Sequence, residues 1–528
     1  MRNSLILTSL LIPWSVSAQN TFHRVEDTDF GQIRAFSQEL NGKFAYAARW
    51  EEFGANRYGT QVSEFDQAGN MQWAYLYRSP GAGSLALPND IVAHSSGGYA
   101  VVGETGGGTS ADSSWIWVLD DLGDTVLVQS FGSPLPGSLG TNALRVAETA
   151  NGDLLVGGEI DVLDTALHQD LYIARISAST GVVWSKHIAS QTVGDFARFG
   201  DFLPLSGGSF LFTAQSTSDG CILGLMDDNG DLVWANAYDT NSEDLRAMAP
   251  FSVPNGYRIP LRAAFPGVGP TFFTLDTDPN GFSQGGHSYR ITTAPGSIEA
   301  VAVLSDKSFV AGGTYGNAVQ DMIMLRGDAQ GIGTWARRYG SAGQEVGTSV
   351  TVINQKGNYV LGGAGELSSL QQLQGGIPYQ PYWVQTDGDG ISGGCEDTLT
   401  VVTDTVFFAS TPLSLTITDM LGWAASSLLR QMEFDAVDVC PELGIQGTDL
   451  PELTLAPNPS SDRVIVSGLG TGNWQHRLFD PRGRQVLQRT SQGDRLVMDV
   501  SDLPPGPYLL QSSQALGQVT NRLVVTGR

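Results

Sequence analysis

Hydrophobic residues in this chain fall in short runs. From Arg198 to Tyr238 the runs are RFGDFLPL, GSFLFTA, CILGLMD and DLVWANAY, four stretches rich in aromatic and aliphatic residues. Gly, Asp or Asn bounds each run, which predicts four short strands joined by tight turns. The third and fourth runs are linked by Asp227-Asp228-Asn229-Gly230-Asp231. In such a turn Gly supplies a positive φ and the Asp or Asn side chain bonds nearby backbone, so a hairpin is expected.

The same pattern recurs as FDQAGNMQW, LDDLGDTVL, SASTGVVW, LDTDPNGF, RGDAQGIGTW and QTDGDGI. The anchors Gly69, Gly123, Gly181, Gly230, Gly281, Gly331 and Gly390 are spaced 49–59 residues apart. A second marker, such as NGDLLVGGE (151–159) or DKSFVAGGT (306–314), precedes each turn in step. Two markers recurring together indicate a repeat architecture, and four short strands per unit match the blade of a β-propeller. Trp73, Trp184, Trp234 and Trp335, shortly after the turn glycines, are expected to pack on outer strands. The seventh unit, ending DGDGISGGCED, lacks an aromatic fourth strand. TFHRVEDTDFGQIRAFSQELNG aligns with WARRYGSAGQEVGTSVTVINQKGN, which assigns Thr21 to Glu26 to the missing place and pairs the two ends of the ring. The expected fold class is all-β: a seven-bladed β-propeller over 19–394, then a small disulfide-bracketed connector, then a C-terminal β-sandwich. Six or eight blades are the alternatives.

Composition agrees with a turn-rich β protein: Gly is 65 of 528 residues and only 16% are charged. The net charge of −25 opposes nucleic acid and anionic membrane surfaces as partners. Residues 451–528 hold eight Arg, no Lys and six acidic residues, so the negative charge lies entirely upstream. That break marks a domain boundary. Residues 1–18, MRNSLILTSLLIPWSVSA, have a cation at Arg2, an apolar stretch and a small-residue site at Val16-Ser17-Ala18. They read as an export signal cleaved between Ala18 and Gln19, and no later segment reads as transmembrane. Cys395 and Cys440 bracket one segment, whereas Cys221 lies alone in a strand-like run. Three pairings are open, and Cys395–Cys440 is the one expected.

Residues 395–447 break the repeat. CEDTLTVVTDTVFFAS and LSLTIT read as strands. DMLGWAASSLLRQMEF places Met420, Leu421, Trp423, Ala424, Leu428 and Met432 near one helical face, yet also fits an apolar strand pair. Residues 448–528 alternate strands with Gly, Pro and Asp turns, as in a compact β-sandwich. The features are Pro457-Asn458-Pro459 after a short strand, Asp480 to Gly483 in a central turn, Asp499-Val500-Ser501-Asp502-Leu503 before Gly506-Pro507-Tyr508, and Arg522-Leu523-Val524-Val525 at the end. Together these resemble the C-terminal sorting domain of the type IX secretion system of Bacteroidota. The resemblance implies passage across the outer membrane by that machinery and removal of the domain within Gly444–Leu453. The cargo is then released or attached to surface lipopolysaccharide. The family's terminal Lys is absent, and Arg522 takes its place. The repeat units resemble the secreted propellers attached to such domains, a likeness that implies no chemistry.

Candidate chemistry is sparse. In LDTDPNGFSQGGH, Asp276, Asp278, Asn280 and Gly281 match the first positions of a calcium loop, but His287 replaces the closing Glu. The turn matches six plain hairpins in position, so a hairpin is expected there, with calcium the only cofactor in view. Glu104, Glu159 and Glu366 follow the second strands of their units, on the face opposite these turns. They are either solvated loop ends or an acid–base set for glycoside chemistry. Tyr379, Tyr382 and Trp383 in the insertion 366–383 either stack on sugars or pack on the last blade. No HExxH, nucleophile elbow, phosphate loop or dinucleotide fingerprint is present. The expected function is a non-enzymatic exported propeller that binds glycan or protein or serves as a structural module. The alternative is an extracellular carbohydrate-active hydrolase or lyase at the channel mouth.

Overall fold

The computed structural model describes residues 22–26, most of 31–438 and most of 453–526. The expected leader, residues 1–18, lies outside the described residues, as do Gln19, Cys395 and Cys440. Contacts divide the chain into two compact units, Met1–Cys440 and Pro441–Arg528. The described residues contain no α-helix, and no helix long and apolar enough to cross a membrane.

The first unit is a series of antiparallel four-stranded meanders. The first runs Gly31–Phe36, Lys43–Glu52, Arg57–Asp66 and Met71–Arg78. Further meanders begin with the innermost strands Leu87–Ala93, Ser138–Glu148, Phe196–Pro204, Leu245–Ala247 (continued by Phe251–Val253), Gly296–Val303 and Glu345–Ile353. The last takes its fourth strand from the start of the chain: Phe22–Glu26 pairs with Tyr379–Thr386 in the register Phe22↔Gln385 to Val25↔Tyr382.

Each meander packs on the next, and the apolar core is divided among these interfaces. Ile116, Phe131, Val156 and Tyr172 share one cluster between the second and third meanders. Phe44, Phe65, Val360 and Trp383 share another between the last and the first. There Phe36 N donates to Ser349 Oγ at 2.9 Å and Thr351 Oγ1 donates to Ser37 O at 3.0 Å.

The recurrent turns link these interfaces. In six of them an Asp Oδ1 accepts the amides two and four residues on, as Asp227 does from Asn229 and Asp231, both at 2.9 Å. Asp66, Asp120, Asp278, Asp328 and Asp387 repeat this geometry. The turn glycine then docks on the preceding meander. Gly281 has φ +80°, and a Cβ there would lie 2.5 Å from the Trp234 ring. Trp234 therefore packs against the neighbouring turn.

Residues 396–438, the described part of the segment 395–447 read from sequence as a connector, extend the meanders. Glu396–Leu399 pairs with the outer strand of the sixth meander, Val401–Val406 with the fifth, Ala409–Pro412 with the fourth and Leu415–Asp419 with the third. Trp423–Ala425, Leu429–Gln431 and Ala436–Asp438 follow on the second, first and seventh. The segment is a strap that adds a fifth antiparallel strand to every meander, running backwards through the series. The apolar stretch beginning at Met420 forms strands rather than the helix its spacing allowed. Outer strands leave a row of unpaired N–H and C=O groups, which an added strand satisfies and a helix does not. Thus Met420 N donates to Ser185 O at 2.8 Å, and the Trp423 ring stacks on Phe131 with centroids 4.7 Å apart.

The second unit has a three-stranded sheet (Thr454–Ala456, Arg463–Ser467, Arg495–Asp499) and a four-stranded sheet (Gln485–Gln492, Asn473–Phe479, Gly506–Gln514, Gly517–Val525). Val464, Val466 and Met498 from the first sheet share a core with Trp474, Leu478, Leu510 and Leu523 from the second. This is the two-sheet packing expected of a β-sandwich.

Candidate functional site

The innermost strands of all the meanders line one channel of about 570 Å³. Their shape there has a local cause. In six of them the pairing to the second strand slips by at least one residue, and the extra residues include Arg34, Asn89, Leu144, Asp201, Glu299 and Thr348. A bulge re-aims the side chains beside it, and five of these six line the channel. The glycine pairs of the second strands make room for the bulges. At Gly158, which faces the bulge of the third meander, a Cβ would lie 1.8 Å from Asn142 O.

Charged groups set the character of the wall. Arg145 Nε lies 3.3 Å from Asp201 Oδ2. Burial raises the Asp201 pKa and Arg145 opposes the shift. Asp90 Oδ2 accepts the Val146 amide at 2.9 Å. Burial pushes Asp90 up to about 7, against Arg145, and the charge of Asp201 adds to the rise. Arg262 Nη1 pairs with Glu299 Oε1 at 2.7 Å.

Of the three carboxylates read as a possible acid–base set, two come near one another. Glu159 is only 7% exposed, and its Oε1 accepts the Phe199 amide at 3.1 Å. Burial raises it to about 7; Arg198 and the Phe199 amide oppose this, while Asp161 and Glu104 add to it. Glu104 Oε2 accepts the Asn142 side-chain amide at 2.9 Å in the amide orientation its surroundings favour. The side chain of Glu366 lies outside the described residues. Tyr382 and Trp383 are buried in a strand, so neither ring is presented to a sugar.

The calcium-loop residues do not converge. Both Asp276 oxygens are held by Arg258, at 2.6 and 2.8 Å. Asp278 Oδ1 accepts the Asn280 and Phe282 amides, both at 2.9 Å. Among the described residues no three His, Cys, Asp or Glu side chains gather to hold a metal. Cys221 is a buried free thiol, its pKa raised by burial. Sequence reasoning missed four arginines beside the channel, Arg145, Arg198, Arg246 and Arg262. Their one signal was the rarity of cations upstream of residue 451 combined with their position in inner and second strands.

In the second unit the motif residues meet. Asn458 Oδ1, between Pro457 and Pro459, accepts the Val524 amide at 2.9 Å. Ser460 N donates to Val524 O at 2.9 Å. Tyr508 OH donates to Pro504 O at 2.7 Å, while Gly506 and Leu509 pair with Val525 and Arg522. The turn Asp480 to Gly483 lies outside the described residues.

No curated protein matches the chain in sequence. Among solved structures, a protein of unknown function from Dyadobacter fermentans is similar at a TM-score of 0.39 and 10% identity, over 69% of this chain and 97% of that one. Trypanosoma rangeli sialidase in complex with the inhibitor DANA is similar at 0.35 and 7% identity, over 94% and 85%. Pyrococcus horikoshii acylaminoacyl peptidase gives 0.28 and 10% identity, over 65% and 59%. Likeness at this level carries no argument about activity. The family match is of another kind, because residues 454–526 match the secretion system C-terminal sorting domain. Through that domain the protein is a type IX secretion cargo, exported to the cell surface or the extracellular space.

Proposed function

We propose that the first unit is a seven-bladed β-propeller serving as an exported, non-enzymatic binding module, with its ligand in the central channel. The observation that carries this reading is the channel itself, about 570 Å³ and walled by bulged inner strands that turn polar side chains inward. A concave site with a few convergent polar groups is the usual form of a small-molecule site. A glycan or a protein loop is the ligand class open to a protein outside the cell. Calcium has no part in this reading.

Glu159 favours the hydrolase alternative, since a carboxyl raised to about 7 suits a general acid. Against it, Glu159 is buried under the Phe199 amide and Glu104 accepts a bond from Asn142, so neither carboxylate faces the channel uncommitted. The reading also includes cleavage of the leader at Ala18–Gln19, removal of the sorting domain within 444–453, and a Cys395–Cys440 disulfide.

The test is calorimetric titration of the mature protein with a panel of surface and matrix saccharides, followed by analysis of the same mixtures for cleavage. Binding without products is the expected result. Products from any bound saccharide establish the hydrolase instead. No binding to any saccharide, and no protein captured from the cell surface, overturns the binding module.

A further inference from the structure

In a chain of net charge −25, four arginines line a single small cavity of about 60 Å³. Arg145 and Arg198 come from inner strands, Arg246 from the interrupted inner strand of the fifth meander, and Arg262 from the strand beside it. Among the described residues, Asp201 lies on Arg145 at 3.3 Å and Glu299 on Arg262 at 2.7 Å. Arg198 makes no hydrogen bond or ion pair with a described residue, although it is within electrostatic reach of Glu159 and Glu299. The repulsion of Arg145 and Arg246 adds to burial in lowering its pKa. Cations gathered this closely repel one another, and an arriving counter-charge relieves that repulsion.

The cavity is a side chamber of the channel. Arg145, Met248 and Glu299 line both. At about 10–15 Å³ of such space per water the chamber has room for a few waters, and so for an oxyanion group. Guanidinium groups hold the oxygens of carboxylates and sulfates in paired hydrogen bonds, and Gln215 in the same wall adds an amide donor. We propose that this chamber is an oxyanion subsite: Arg198, with Arg246 and Gln215, takes the carboxylate or sulfate of a small acidic ligand whose uncharged body lies in the channel. The proposal rests on the reading of the channel as a ligand site and names its ligand class. Recognition involves no covalent step.

The experiment uses the mature protein and its Arg198→Gln and Arg198→Lys variants. Glucuronate, a sulfated monosaccharide and glucose are titrated calorimetrically, and inorganic sulfate is tested by thermal shift. Acidic sugars are expected to bind at least tenfold more tightly than glucose. Arg198→Gln removes at least tenfold of that affinity, and Arg198→Lys restores part of it. Sulfate raises the melting temperature of the parent but not of Arg198→Gln. Unliganded, Arg198→Gln melts no lower than the parent, which separates loss of the subsite from loss of the fold. The two acidic sugars distinguish carboxylate from sulfate as the source of the charge.

Glucose binding as tightly as the acids overturns the subsite and leaves the channel reading standing. Sulfate stabilising parent and Arg198→Gln equally also overturns the subsite. If sulfate acts only on the parent while no saccharide binds, the subsite stands and the saccharide form of the channel reading falls.

Discussion

Tyr77 and Tyr339 lie at or next to the end of an outer strand and donate a hydroxyl, at 2.7 Å, to the carbonyl of the turn glycine in the following meander, Gly123 and Gly390. Tyr238 and Tyr289 bond Gly281 and Gly331 in the same way. One residue type at one repeat position thus ties the turn that recurs in the sequence to the interface it serves. Tyr238→Phe is expected to cost about 1 kcal/mol in chemical denaturation, the net value of a hydrogen bond. Gly281→Ala is expected to cost more, about 1–3 kcal/mol, because the residue is held at φ +80° and its Cβ would enter the Trp234 ring. Equal costs would mean that the turn relaxes freely.

Glu159 faces Arg198, Asp161, Glu104 and the Phe199 amide. Its pKa is raised from about 4.3 in the unfolded chain to about 7 in the folded one. Its neutral form therefore favours the fold, and that contribution is lost as pH rises from about 4 through 7. Glu159→Gln should flatten the fall in melting temperature between pH 5 and pH 8; an unchanged slope would assign the fall to Asp90. At this scale the turns were legible because their signal is local. The arginine chamber was not, since its residues are scattered from Arg145 to Arg262 and only the ring of strands brings them together.

At the scale of elements, the meanders were legible and the strap was not. Periodic runs bounded by turn residues mark a meander within its own sequence, and even the closing strand before Glu26 showed itself by alignment with an outer strand. The strap's strands are three to six residues long, and each pairs with a strand far away in sequence, as Ile417 does with Ile188. Without a partner in view, their apolar spacing fitted a helix equally well. Phe408 anchors the strap between its second and third strands, buried with its ring centroid 6.3 Å from that of Phe273. Phe408→Ala should cost about 3–5 kcal/mol and expose residues 401–415 to limited proteolysis. Phe407→Ala, at a side chain 81% exposed, should change stability by no more than about 0.5 kcal/mol.

The path of the strap also bears on the cysteines. Glu396 pairs with Tyr339 on the sixth meander and Asp438 with Arg24 on the seventh, so both ends of the strap come to neighbouring meanders. A Cys395–Cys440 disulfide would close the strap into a hoop. By loop-closure entropy it would stabilise the fold by up to about 4 kcal/mol. Peptide mapping without reduction is expected to find this linkage, and reductant to lower the melting temperature. A linkage through Cys221, which is buried near the start of a strand, would contradict the pairing.

Across the whole molecule, charge and family match fall in different units. The acidic first unit carries the channel, while the second unit, its acids and bases in balance, carries the sorting-domain match over 454–526. The residues that mark the family close the end of that unit: Asn458 and Ser460 bind the backbone of Val524, so the prolines at one end of the domain fix the strand at the other. If export depends on this unit, removing 454–526 should leave a folded first unit inside the cell, with the protein absent from surface and medium. Asn458→Ala should lower the exported fraction without moving the melting temperature of the first unit. The two termini of the exported protein, read by mass spectrometry, are expected near Gln19 and upstream of Leu453. Exported chains that still carry 453–528 would refute removal of the domain but not its sorting role, because retention and export are separate outcomes. Export of the truncated chain at the level of the full one would refute the sorting role itself, and the sandwich would then have to act by binding outside the cell.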